Sequence, residues 1–281
     1  MHPERPSDPE PRVLSLSCGP VSLTDRGESP EGALPVLALH GLPGTVRDFR
    51  WLGAALEPHL RFVRVDLAGF GGTPIASAPL ATIEGRAAFL PELLDALEIE
   101  RACILGHSMG GPVALAAAQR WPERFPALAL LASVGLRPHR LFRSLPMPGA
   151  FALGLRTPLL GWPLRRFYRR GLGSAGFRGH YTDESLIHLA TSVAAVSFES
   201  IAGMVRGLTA PTLTAWAGDD PFIEAEIFEE LDAALPEGPR LVFGAGGHNL
   251  QKSQAVEIAE ALRAWLAALQ EGSLDPAPSP L

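Results

Sequence analysis

The chain has 281 residues, 47% hydrophobic and 19% charged, with a mean hydropathy of +0.15, which excludes a chain too polar to collapse and predicts a globular fold with a large core. A net charge of −6 excludes a general nucleic-acid binder, because phosphate contacts need a basic field. That charge is unevenly spread: between Leu136 and Leu208 ten arginines face three acids, a net of +7, which leaves −13 for the remainder. Cys18 and Cys103 have no CxxC spacing, so neither a metal site nor a disulfide framework is expected, and both read as buried thiols of a cytoplasmic protein.

Residues 1–12, charged and carrying four prolines, predict a flexible arm and lack the apolar run of a signal peptide. A hairpin is expected next (Val13–Cys18, Val21–Thr24), then strands at Val36–Leu39 and Phe62–Asp66. Apolar residues near i, i+3 and i+4 predict a helix over Ile83–Leu97, kinked at Pro91. The strand Ala102–Gly106 leads into a helix over Met109–Arg120, and a further strand follows at Ala127–Leu131. The next eighty or so residues have no strand-like alternation and read as helices over Leu141–Leu155, Leu164–Gly171 and Thr182–Val205. So long an interruption is better taken as a helical cap than as a loop. The apolar stretch Pro146–Leu164 is broken by Arg156, Pro and Gly and does not read as a membrane span. Strands at Thr212–Ala217 and Arg240–Phe243 and helices at Ile223–Leu235 and Gln254–Leu269 complete the alternation. The outcome is an α/β fold with a mostly parallel eight-stranded sheet flanked by helices. Residues 13–135 and 209–270 form the core, 136–208 the cap, and 271–281 a flexible tail.

Three segments carry chemistry. Gly106-His107-Ser108-Met109-Gly110-Gly111 lies where a buried strand becomes a helix, the place where a GxSxG turn exposes a serine hydroxyl. His40-Gly41-Leu42-Pro43-Gly44 follows another strand, and its tight turn can aim the Leu42 N–H, together with the Met109 N–H, at an oxyanion. His40 itself is expected to touch substrate rather than act on it. Gly246-Gly247-His248-Asn249 places a histidine on a late, glycine-flanked loop, suited to a general base. A carboxylate must orient that imidazole. Asp219 and Asp220 both follow the strand Thr212–Ala217, and Asp220 is favoured because Pro221 fixes the chain just after it.

HGLPG, DLAGFGGTP, GHSMGG, GDDPFI and GGHNL stand in this order over about Val13 to Leu269, and the chain thereby resembles the α/β-hydrolase superfamily, in particular its serine esterase, lipase and C–C hydrolase-like branch with a helical cap. The resemblance implies the order Ser108, Asp220, His248 for nucleophile, acid and base. HGxPG and His248-Asn249-Leu250-Gln251 also resemble haloalkane dehalogenases and epoxide hydrolases, but those use an aspartate nucleophile, and Ser108 stands there instead.

The expected activity is cofactor-independent and metal-free hydrolysis of carboxylic esters with small to medium acyl groups. Cleavage of β-diketone C–C bonds, perhydrolysis and ligand reception without catalysis are the alternatives. Gly41, Trp162, Phe167 and Phe222 are the expected substrate contacts beside His40. The partner is a small-molecule ester. The run Arg165-Arg166-Phe167-Tyr168-Arg169-Arg170 reads either as a solvated face or as a lid whose basic side meets anionic lipid.

Overall fold

The computed structural model describes residues 6, 8–75, 82–144, 147–177 and 179–272. Eight strands form one sheet: β1 (Arg12–Leu16), β2 (Gly19–Arg26), β3 (Val36–Leu39), β4 (Phe62–Val65), β5 (Cys103–His107), β6 (Ala127–Leu131), β7 (Thr212–Ala217) and β8 (Arg240–Phe243), in the order β1-β2-β4-β3-β5-β6-β7-β8. Only β2 runs against the others, pairing antiparallel with β1 and β4. The central strands are buried along their whole length, which explains their unbroken apolar runs: both faces are covered by helices.

The helices of the core are α1 (Arg50–Leu56), α2 (Ile83–Ala88), α3 (Leu90–Ala96), α4 (Gly110–Arg120), α10 (Ala225–Ala234) and, after the last strand, α11 (Leu250–Ser253) and α12 (Ala255–Gln270). The cap supplies α5 (Arg140–Arg143), α6 (Pro148–Gly154), α7 (Gly161–Ser174), α8 (Asp183–Ala194) and α9 (Phe198–Arg206). The predicted helix Ile83–Leu97 is two helices meeting at Phe89, because Pro91 suits the first turn of a new helix better than the interior of an old one. The predicted Thr182–Val205 also divides, with Ser197 capping α9 through the Ser200 N–H. A 3₁₀ turn at Val46–Phe49 and helix α1 fill the gap between β3 and β4, where the sequence pattern set no helix bounds; a capping box between Thr45 and Asp48 starts the turn.

Part of the expected flexible arm is docked. The Asp8 carboxylate accepts from Arg64 Nη1 at 2.9 Å, and Arg64, only 1% exposed on β4, also meets Glu57. A buried guanidinium needs such partners, so the chain end is drawn onto the core. Residues 1–5 and the tail from 273 lie outside the described residues. Among the described residues no single helix is long and apolar enough to cross a membrane.

Register sets the site. β3 and β5 are neighbours, with Leu39 opposite Gly106, so the loop after β3 faces the turn after β5. From β3 the chain moves outward to β4 and then returns to the other side for β5, which opens a crevice at the carboxyl ends of the strands. β7 and β8 pair with Ala217 opposite Phe243, which sets Asp219 and Asp220 beside the loop bearing His248.

Candidate active site

Ser108 leaves β5 with φ +52°, a left-handed conformation that is costly for a residue with a side chain. The turn persists because α4 starts at once and packs close. A Cβ at Gly106 would lie 2.5 Å from the Gly110 carbonyl oxygen and the Gly111 Cα, so only glycine lets strand and helix approach this closely. The Ser108 carbonyl accepts from Gly111 and Val134 N–H groups, and its own N–H donates to Leu131, so the strained residue is held from three sides.

The Ser108 hydroxyl lies 2.9 Å from His248 Nε2, and His248 Nδ1 lies 2.7 Å from Asp220 Oδ2. The other Asp220 oxygen accepts the Phe222 and Ile223 N–H groups at 2.8 and 3.1 Å. Burial opposes ionisation of Asp220, but the bond to His248, its charge and these two N–H groups outweigh it and hold the carboxyl below the usual range. An ionised Asp220 fixes the Nδ1–H tautomer and leaves Nε2 free to take the serine proton. Asp219 points elsewhere: its Oδ1 accepts the N–H groups of Gly246 and Gly247 at 2.9 and 2.7 Å.

His107 lies behind this array, its ring 5.0 Å from that of His248, and its Nε2–H donates to the His248 carbonyl at 2.9 Å. Burial, with the neighbouring His248 next in weight, pushes its pKa down to about 3. It is a neutral strut under the loop.

Gly41 packs directly on the serine; a Cβ there would stand 2.9 Å from Ser108 Cβ. The next residue, Leu42, lines one cavity with Ser108, Met109 and His248. Neither the Leu42 nor the Met109 N–H has an acceptor among the described residues. Two donors beside the hydroxyl are what a developing oxyanion requires.

Three abutting spaces share Leu42 and Phe177. The innermost, about 60 Å³, touches Ser108, Met109, Val134 and His139. An apolar chamber of about 550 Å³ extends under the cap between Leu141, Phe151, Phe167, Tyr168, Leu189 and Val193. A more polar one of about 390 Å³ lies on the other side of Phe177 and is lined by Asp48, Tyr181 and Asn249. Phe177 stacks on Phe222 with ring centres 5.4 Å apart, and Phe222 meets the His248 ring edge-on at 5.1 Å. One aromatic pair therefore separates the two chambers and backs the imidazole.

A family model for the alpha/beta hydrolase fold matches residues 35–163. An alpha/beta hydrolase fold protein from Burkholderia ambifaria superimposes with a TM-score of 0.72 at 19% identity, over 89% of this chain and 96% of that one. The chain has the α/β-hydrolase fold. Among curated relatives, the dihydrolipoyllysine-residue acetyltransferase component of an acetoin cleaving system from Pseudomonas putida is 28% identical over 84% of this chain, which spans 64% of that protein's length. A 2-hydroxy-6-oxononadienedioate/2-hydroxy-6-oxononatrienedioate hydrolase from Cupriavidus pinatubonensis is 28% identical over 80% of this chain and 83% of its own.

Within this α/β-hydrolase fold, two expected substrate contacts lie elsewhere. His40 is fully buried, its Nδ1–H donating to the Gly41 carbonyl at 2.7 Å and its Nε2 accepting the Leu67 N–H at 3.0 Å, so both ring nitrogens are spent on holding the loop. Trp162 is 65% exposed on the outer surface of the cap, where the Arg166 guanidinium lies over its ring, and it lines none of the three spaces. Gly41 and Phe222 line the polar chamber, and Phe167 lines the apolar one. Asp48, Tyr181, Phe177 and His139 escaped the sequence reading. The Thr45/Asp48 capping box was a signal for Asp48; the other three enter through the folding of the cap, which spacing does not reveal. Among the described residues no group of His, Cys, Asp and Glu could hold a metal ion.

The arginines of the cap are largely engaged. Arg165 and Arg169 both reach Asp183, at 2.9 and 3.0 Å, binding α7 to α8. Arg143 pairs with Glu224 and Arg137 with Glu230, tying the cap to the core beside Asp220.

Proposed function

We propose that the chain hydrolyses carboxylic esters that carry an apolar acyl group of small to medium length and a more polar alcohol portion. The observation that carries this reading is the hydrogen-bonded series Ser108–His248–Asp220 opening on an apolar chamber at one side and a polar one at the other. In this mechanism Ser108 Oγ attacks the ester carbonyl as His248 Nε2 takes its proton, and Asp220 stabilises the imidazolium. The Leu42 and Met109 N–H groups receive the oxyanion. Collapse expels the alcohol, which leaves with the proton returned by His248. Water, deprotonated by the same imidazole, then attacks the acyl-enzyme and releases the acid and Ser108.

The relative from Cupriavidus pinatubonensis favours a second reading, cleavage of a C–C bond beside a carbonyl. Its named substrates are dicarboxylates, whereas neither chamber here is lined, among the described residues, by an arginine or lysine that could receive a second carboxylate. The ester reading is preferred for that reason.

A fluorophosphonate probe and a panel of p-nitrophenyl esters of rising acyl length test the proposal beside a carboxylated β-diketone. The expected result is Ser108-dependent labelling, lost in Ser108→Ala, with turnover of neutral esters. Labelling that survives Ser108→Ala, or cleavage of the diketone with no ester turnover, overturns it.

A further inference from the structure

We propose that the outer face of the cap is a docking surface for an anionic lipid bilayer or micelle, seated so that the apolar chamber opens next to the lipid. Large apolar side chains are exposed at ten described positions, and six of them fall between residues 147 and 167: Met147, Leu153, Leu159, Leu160, Trp162 and Phe167. Leu159, Leu160 and Trp162 adjoin at the start of α7, and exposed apolar side chains placed together in this way mark a surface that is covered in use. Leu159 is 89% exposed and Leu160 60%, and Trp162 begins α7 beside them.

The charge around this patch selects the occupant. Arg166 lies over the Trp162 ring, one helical turn on, and Arg170 follows one turn further. Neither has a carboxylate partner among the described residues, unlike Arg165 and Arg169 on the same helix. Apolar and aromatic side chains bordered by free arginines match the interface of an anionic membrane, where the rings sit at headgroup depth and the guanidinium groups meet phosphate. A two-fold pairing of copies through this patch would instead bring the basic caps together. Phe167 links surface and site, because it is 70% exposed outside while also lining the apolar chamber.

The test uses the full chain with Ser108→Ala, so that lipid turnover plays no part and the result does not depend on the ester reading. Flotation with phosphatidylcholine vesicles, with and without phosphatidylglycerol, should show binding only to the anionic vesicles and its loss as salt rises. Arg166→Glu with Arg170→Glu, and separately Leu159→Ser with Leu160→Ser, should each weaken partition by about tenfold or more. With Ser108 restored, both double variants should keep full turnover of any soluble monomeric substrate the parent accepts, which shows that the fold is intact. Absence of binding to anionic vesicles, or equal binding by parent and variants, overturns the proposal. So does a parent dimer in sedimentation that Leu159→Ser with Leu160→Ser converts to monomer without any vesicle binding, since the patch is then a contact between copies.

Discussion

The Asp219 carboxylate accepts the Gly247 N–H at 2.7 Å, one residue before the histidine that its neighbour Asp220 holds at 2.7 Å. Adjacent acids thus divide the work: one fixes the loop backbone, the other the ring. Asp220→Asn removes the charge that stabilises an imidazolium and favours the wrong tautomer, so kcat should fall by about 10³–10⁴-fold. Asp219→Ala only loosens a partly exposed loop and should cost about tenfold or less, since a displaced base is less damaging than a mis-protonated one. Steady-state ester kinetics on both variants decide the matter; equal losses would contradict the division.

Chain-length preference should follow the apolar chamber. Gly171 lines that chamber within α7, and a Cβ added there meets nothing within 4 Å. Gly171→Leu therefore fills space without a backbone clash and removes a helix-weakening glycine, adding about 0.5–1 kcal/mol of stability. Its kcat/KM for an octanoate ester should drop by about tenfold or more relative to a butanoate ester. Equal ratios in parent and variant would place the acyl group elsewhere.

The parts of the molecule legible in the sequence are those set by local pattern. β3, β6, β7 and β8 coincide with their predicted bounds because short apolar runs closed by turn residues leave little choice. Ser108 and His248 stand out because each follows a strand in a turn built of glycines. Asp220 is favoured over Asp219 in the sequence only through Pro221 beside it, since both follow β7 and it is the direction of each side chain that separates them. His40 misleads for a related reason: it sits in a motif beside the site, yet its ring turns inward to the Leu67 N–H. Phe177, Tyr181 and His139 enter only when the cap folds over the sheet, a long-range event without a local signature.

Acid should destabilise the fold through two buried imidazoles. Burial pushes His107 down to about 3 and His139, which lies against the Phe222 carbonyl, down to about 4. Unfolded, each would take a proton near pH ~6.5, whereas the folded chain refuses it. Between those values the unfolded state binds more protons, so stability is fullest above about pH 6.5 and falls as pH drops toward 4 for His139, and on toward 3 for His107. Each histidine contributes a slope of up to about 1.4 kcal/mol per pH unit. Urea unfolding across this range should show a shallower slope in His139→Gln than in the parent. An unchanged slope would mean that His139 titrates normally.

The cap should also depend on one core arginine. Arg86 on α2 is 2% exposed, and its Nη2 donates to Ser192 Oγ at 2.7 Å and lies 3.2 Å from His188 Nε2, both on α8. His188 Nε2 in turn lies 2.9 Å from the Ala68 carbonyl, so core and cap meet in one buried polar cluster. Burial lowers the Arg86 pKa to about 10, which still leaves it charged at neutral pH. Arg86→Leu forfeits charge-assisted bonds and strands their partners, at a cost of about 2 kcal/mol, or a Tm lower by roughly 4–8 °C. Because Leu189 of the same helix lines the apolar chamber, the damage should also reach substrate binding. KM for long-chain esters should rise while kcat for short ones is kept, because Ser108, His248 and Asp220 all stand on core loops. Calorimetry with kinetics at two acyl lengths tests both statements; a Tm within about 1 °C of the parent would show that the cluster does not anchor the cap.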